Sequence, residues 1–184
     1  MLGGIWPWSP ALLILAFRLG FRLTCYYYRK AYYRSFWQSP PACAVAEPHK
    51  RYTGETRFPL ILQNVHRDFF YISIPLALIL LYHGIRAVDF PGGVGIGVGW
   101  IVLLVNTVLI SLYTMSCHSC RHLCGGGLKQ FSRALRRYKL WRKVSALNKR
   151  HMQLAWASLL CIAFADFHIW LVATGRIHDF HWVF

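Results

Sequence analysis

Met115-Ser116-Cys117-His118-Ser119-Cys120-Arg121-His122-Leu123-Cys124, closed by Gly125, Gly126 and Gly127, decides how the rest of the chain is read. It holds three of the six cysteines and two of the nine histidines. It follows an uncharged apolar run and opens a strongly basic one, which puts a ligand cluster at a membrane surface. If the preceding helix continues through it, Cys117, Cys120 and Cys124 share one face, and His118 and His122 share another about 100° away. Thiolates beside imidazoles suit a metal or an iron–sulfur centre. The glycines would then end the helix. Spacing alone does not choose among zinc, iron–sulfur and dithiol chemistry. Buried or palmitoylated juxtamembrane cysteines are the plainer alternative.

Outward from this stretch, the charge pattern sets the topology. The 184 residues are 56% hydrophobic yet carry a formal net charge of +15. Eight of the 21 Lys and Arg residues lie between Arg22 and Arg67, and ten between Arg121 and Arg150. The apolar segments beside these blocks are long enough to cross a bilayer, which takes about 20 residues of helix. Basic residues concentrate in cytoplasmic loops. The sequence therefore predicts an all-α, integral membrane helical bundle in a single domain, 1–184. About four transmembrane helices are expected, at 9–28, 58–83, 94–117 and 151–174. Cytoplasmic loops are expected at 29–57 and 121–150, the second carrying a basic interfacial helix. Topology accounts for the positive charge, so nucleic-acid binding is not expected. Five of the six cysteines fall on the predicted cytoplasmic side, where a reducing environment favours ligands over disulfides. No convincing cleavable signal peptide is read at the amino terminus.

Polar residues at membrane depth narrow the search. Arg18 lies toward mid-membrane. Gln63-Asn64-Val65-His66-Arg67-Asp68 opens the second span, and Asp166 and His168 sit in the outer half of the last. The tyrosines and basic residues of Tyr26 to Arg34 suit an interface of headgroups and acidic partners. Gly95 and Gly99 are expected on a close helix-packing face. Leu128 to Arg150 is basic and amphipathic, and suits anionic lipid or a docked partner. Sorted by depth, His66, His118 and His151 fall with Cys25, Cys117 and Cys120 in an inner layer. His83 and His168 form an outer one without cysteine.

Thr24 to Phe36, Pro40 to Ala44, Gly54 to Asn64 and Ser116 to Arg121 together resemble the membrane anchor of a prokaryotic succinate dehydrogenase, a respiratory complex II of the actinobacterial kind. The resemblance runs from about Ser9 to Asp179. Relatives usually carry a further amino-terminal helix, so a truncated or misassigned start is one expectation here. The resemblance implies a subunit of the cell membrane that holds flavoprotein and iron–sulfur subunits at the cytoplasmic face and passes their electrons to quinone, with menaquinone the expected type. It leaves room for a higher oligomer of the complex. Succinate oxidation itself belongs to the partner subunits, since no flavin-binding signature occurs here.

Such anchors commonly carry haem b on two histidines, for which His66 with His151 or His118 would serve. Bis-histidine haem needs no cysteine, however. A two-iron cluster (2Fe-2S) with mixed His and Cys ligands, the Rieske-type pattern, uses both residue types and is favoured. Cys117 and Cys120 are the first thiolate candidates, with Cys25, Cys43 and Cys124 as substitutes. His66, His118 and His151 compete for the nitrogen positions. Trp37, Gln63, Arg67 and Tyr71 are the candidates for the quinone site. Two other classes are weighed against this: a non-redox membrane protein with a structural zinc site, and a small transporter using Arg18, Asp68 and Asp166. Four helices with no internal repeat disfavour the transporter.

Overall fold

The structure, a computed structural model, describes residues 10–37, 56, 58, 60–90, 92–126 and 128–184; of residues 10, 11, 13, 37 and 60 it describes the backbone alone. Helix α1 spans Pro10–Leu23 and α2 Tyr26–Trp37. A 3-10 segment, Leu60–Val65, leads into α3, His66–Arg86. Strands β1 (Asp89–Phe90) and β2 (Gly93–Gly97) precede α4, Val98–Met115. Helix α5 is His118–Gly125, and a second 3-10 turn, Phe131–Ala134, opens α6, Leu135–Asn148. Helix α7, His151–Ala173, and strand β3, His181–Val183, complete the order.

The expected helical membrane architecture is present. Three described segments, Ile61–Arg86, Val98–Met115 and His151–Ala173, are long and apolar enough to cross a membrane. The fourth expected span is shorter than the sequence suggested. Helix α1 has 14 residues, about 21 Å of helix against a hydrocarbon core of about 30 Å. Leu78, Leu160 and Phe164 lie on the spans with more than half their surface open, as lipid-facing side chains do.

Several boundaries differ from expectation. The span expected over 58–83 opens as the 3-10 segment Leu60–Val65 and is α-helical only over His66–Arg86. The helix expected over 9–28 breaks at Thr24 and Cys25 and resumes at Tyr26, so α2 occupies the start of the expected loop 29–57. At the break the Thr24 hydroxyl donates to the Gly20 carbonyl at 2.7 Å, a side-chain bond that competes with helix continuation. The helix expected over 94–117 begins only at Val98, because Gly93 to Gly97 form a strand. The strands pair in the antiparallel order β1-β2-β3. A Cβ on Gly95 would stand 2.6 Å from the Trp182 carbonyl oxygen, so Gly95 serves sheet pairing, while Gly99, in the first turn of α4, leaves room for the Asp179 carboxylate, 2.7 Å from where its Cβ would stand; neither forms the expected helix-packing face. Finally, α4 does not run through the cysteine cluster. It stops at Met115, the Ser116 hydroxyl turns back to the Tyr113 carbonyl at 2.8 Å, and helix resumes at His118. The expected loop 121–150 is largely helical, in α5 and α6.

Two compact units divide the chain, residues 1–73 and 74–184. The division falls inside α3 beside Pro75, where proline removes a helical hydrogen bond. In the first unit Phe21, Cys25, Tyr28 and Phe70 are buried. In the second, α4 packs along α7 and α5 packs on α6, burying Ile110, Tyr113, Cys117, Val144, Ala155 and Ala165. At the far end of α4 the Gly99 amide donates to Asp179 Oδ1 at 2.8 Å. This satisfies an otherwise unpaired first-turn donor.

Candidate cysteine–histidine centre

In the first unit, His66 opens α3 and its Nδ1 lies 2.8 Å from Thr24 Oγ1. Its ring stacks on Phe21 at 4.8 Å between centroids and 6° between planes. The residue after Thr24 is Cys25, which is 1% exposed.

In the second unit, His151 opens α7, is 2% exposed, and has Nδ1 2.6 Å from Ser116 Oγ. Its ring stacks on Tyr113 at 5.1 Å and 3°. The residue after Ser116 is Cys117, also 1% exposed.

The two arrangements match position by position. Phe21-Arg22-Leu23-Thr24-Cys25 and Tyr113-Thr114-Met115-Ser116-Cys117 share the pattern aromatic, two residues, hydroxyl, cysteine. In each the helix ends ahead of the hydroxyl residue and a new helix begins directly after the cysteine. Cys25 O accepts from Arg29 N at 2.9 Å, and Cys117 O accepts from Arg121 N at 3.1 Å. In each a histidine then opens a later helix and lays its ring on the aromatic. The reading that no internal repeat exists is corrected to this extent: a half-site occurs twice. Thr24 and Ser116, with Phe21 and Tyr113, were missed by the sequence reading. The signal available was the shared aromatic-x-x-[Thr/Ser]-Cys string.

The other expected ligands lie elsewhere. Cys120 is half-buried on α5 and interacts with Cys124 one turn on. Burial first, then Cys124 and Cys117, push its thiol up to about 12, so a thiolate at Cys120 requires a cation to offset them. His118 is exposed on α5, and its imidazole titrates below its ordinary value because of partial burial and the neighbouring Arg121. Cys43 lies outside the described residues. Among the described residues no group of three or more His, Cys, Asp and Glu side chains is gathered for one metal ion; Cys25, Cys117 and His151 are buried and His66 is half-buried.

Helix α6 braces the cluster. Arg121 donates from Nε to Ser145 Oγ at 3.0 Å and lays its guanidinium over Trp141 at 5.1 Å. Arg137 Nε donates to the Cys124 carbonyl at 3.1 Å, and Asn148 Nδ2 to the Ser116 carbonyl at 2.6 Å. Gly125 is required by the Trp141 ring, which a Cβ there would strike. Arg133, Arg136, Lys139 and Lys143 remain exposed.

A largely apolar cavity of about 630 Å³ opens in the first unit, walled by Leu23, Phe36, Leu62 and Phe69 with Thr24, Tyr32 and Gln63. Tyr32 donates to the Leu23 carbonyl at 2.8 Å and accepts from Gln63 Nε2 at 2.8 Å. With the Tyr32 proton so placed, the Gln63 amide must present nitrogen to it. Gln63 Oε1 is left buried, with no hydrogen-bond partner among the described residues. Of the other expected quinone residues, Arg67 and Tyr71 are exposed on α3 and stand outside the walls of this cavity. The Trp37 side chain lies outside the described residues. In the second unit, His168 and Trp100 line a smaller cavity of about 290 Å³ with Asp179, whereas Asp166 is exposed.

Three helices able to cross a membrane and a twice-built half-site of a buried cysteine and a hydroxyl-held histidine define a helical membrane subunit with ligand chemistry at its helix ends. The sequence profile described as actinobacterial succinate dehydrogenase subunit SdhC matches residues 1–175, and the chain belongs to that family. It is also similar to a chain of the Mycobacterium smegmatis Sdh1 complex in the apo form, with 59% identity and a TM-score of 0.84 over 90% of its own length. The match spans 62% of that longer chain. No curated protein matches.

Proposed function

We infer that this chain is the membrane anchor of a succinate:quinone oxidoreductase. It holds flavoprotein and iron–sulfur subunits on its basic face and delivers their electrons through a Cys/His-ligated centre to membrane quinone. The duplicated half-site carries this reading. Its donors are Cys25 and His66 in one unit, Cys117 and His151 in the other, each unit taken by itself. Each half-site offers one thiol and one imidazole, the two residue types that a Rieske-type 2Fe-2S cluster uses. When bound, such a cluster supplies one-electron transfer between the partner subunits and quinone.

The chain's own residues do the rest. Burial keeps water from both cysteines. Phe21 and Tyr113 hold the imidazole planes, and Thr24 and Ser116 hold their Nδ1 edges. In the 630 Å³ cavity, hydrophobic walls suit a quinone ring and its tail. Gln63 Oε1, an acceptor, complements the hydroxyl that appears when the ring oxygen is reduced and protonated. Arg133, Arg136, Lys139 and Lys143 supply positive charge for acidic partner surfaces and anionic headgroups.

One observation favours a second reading, haem b with histidine ligation: His66 and His151 each have Nδ1 held by a hydrogen bond, as haem-ligating histidines do. Low-temperature EPR with an optical spectrum on the dithionite-reduced membrane complex separates the two. The cluster reading expects a rhombic signal and no haem bands, with the signal lost in Cys25→Ser and in Cys117→Ser. Haem bands that survive both substitutions and vanish in His66→Ala or His151→Ala would overturn it.

A further inference from the structure

We propose that Thr24 and Ser116 are positioning residues that fix the tautomer of His66 and of His151, each within its own unit, so that Nε2 is the nitrogen with which each imidazole can ligate. This rests on the Cys/His-ligated centre inferred above. The argument is one of proton counting. A hydroxyl has one proton to give. Thr24 gives its proton to the Gly20 carbonyl at 2.7 Å, and Ser116 gives its own to the Tyr113 carbonyl at 2.8 Å. Each oxygen can therefore only accept from the imidazole, 2.8 Å away at His66 and 2.6 Å away at His151. Both Nδ1 atoms carry hydrogen, and both lone pairs rest on Nε2.

The ring cannot readily turn over to exchange the two nitrogens. Each is stacked on an aromatic within 6° of parallel, and its Nδ1 edge is tied to a hydroxyl at a helix break. The same solution occurs in both units with different sequence separations, 42 residues for Thr24 and His66 and 35 for Ser116 and His151. A general packing need would not reproduce the hydroxyl, its back-bond and the following cysteine together. An Nδ1–H donating to a neutral acceptor also raises the electron density of the ring. Removing the acceptor should therefore raise the midpoint potential of the centre.

The membrane complex is purified from cells fed histidine carrying ¹⁵N at Nδ1 only or at Nε2 only, and nitrogen couplings of the reduced centre are read by pulsed EPR. The strong coupling should follow the Nε2 label. Thr24→Val and Ser116→Ala should each raise the midpoint potential, and Thr24→Ser and Ser116→Thr should restore it. Strong coupling that follows the Nδ1 label overturns the proposal, as do unmoved potentials in both variants. A complex without any paramagnetic centre would instead defeat the inferred function. Solid-state ¹⁵N NMR on the same labelled complex then decides the tautomer by itself. Protonated Nδ1 at both histidines, lost at one site in each variant, supports the assignment; protonated Nε2 refutes it.

Discussion

Gln63 and Cys120 show how much a single side chain's surroundings fix its chemistry. Gln63 has a buried acceptor that nothing described in the first unit satisfies, and burying such a group without a partner is costly. A ligand hydroxyl would relieve that cost. Replacing Gln63 by Leu removes one hydrogen bond worth about 0.5–1.5 kcal/mol, so KM for quinone should rise roughly 2- to 13-fold. Steady-state quinone reduction by the complex measures this, and an unchanged KM removes Gln63 from the site. Cys120 makes the opposite point. Burial and its cysteine neighbours push its thiol up to about 12, so at pH 8 far less of it is thiolate than of an ordinary cysteine. Iodoacetamide should label Cys120 slowly at pH 8, and Cys124→Ala, which removes a contributor to that rise, should speed it. Mass spectrometry of alkylated peptides reads both rates. Cys120 was an early ligand choice because CxxC spacing is conspicuous. Spacing cannot reveal that Cys117 sits at a helix break while Cys120 lies a turn along a separate helix.

At the scale of elements, the long apolar runs were legible because periodicity and charge placement are local properties of sequence. The ends of the elements were not, because they are decided by contacts between segments. Gly93 to Gly97 carries a small-residue pattern compatible with helix packing; it becomes a strand because β1 and β3 offer backbone partners. The breaks at Thr24 and Ser116 depend on which carbonyl each hydroxyl reaches, and a serine or threonine in an apolar run does not announce that choice. Gly20 tests the packing of the first unit. A Cβ there would collide with the Phe69 ring, and overpacking of this sort costs about 1–3 kcal/mol. Gly20→Ala should lower the thermal unfolding midpoint of the detergent-solubilised complex, and Phe69→Leu in the same chain should recover part of the loss. A midpoint unmoved by Gly20→Ala would mean that the ring yields without cost.

Across the whole molecule, the membrane class and the family resemblance were readable, while the duplicated half-site was not recognised. Its two copies share five-residue strings but differ in the distance to their histidine, so no fixed repeat period exposes them. What unites the copies is a proton arrangement, visible only once carbonyls and rings have positions. The remaining whole-chain property is the basic face of α6, where the charge excess read from the sequence meets a packed helix. Trp141 and Val144 turn toward the fold, while Arg136 and Lys139 stay exposed. If that face holds acidic partner subunits, association must weaken with salt, because exposed charges are screened beyond about 8 Å at physiological ionic strength. Arg136→Glu with Lys139→Glu should release the soluble subunits from washed membranes at lower salt than the parent chain does, with the anchor itself retained. Release at the same salt concentration would assign the face to anionic lipid headgroups instead, and binding of the purified variant to vesicles with and without anionic lipid would then show the loss.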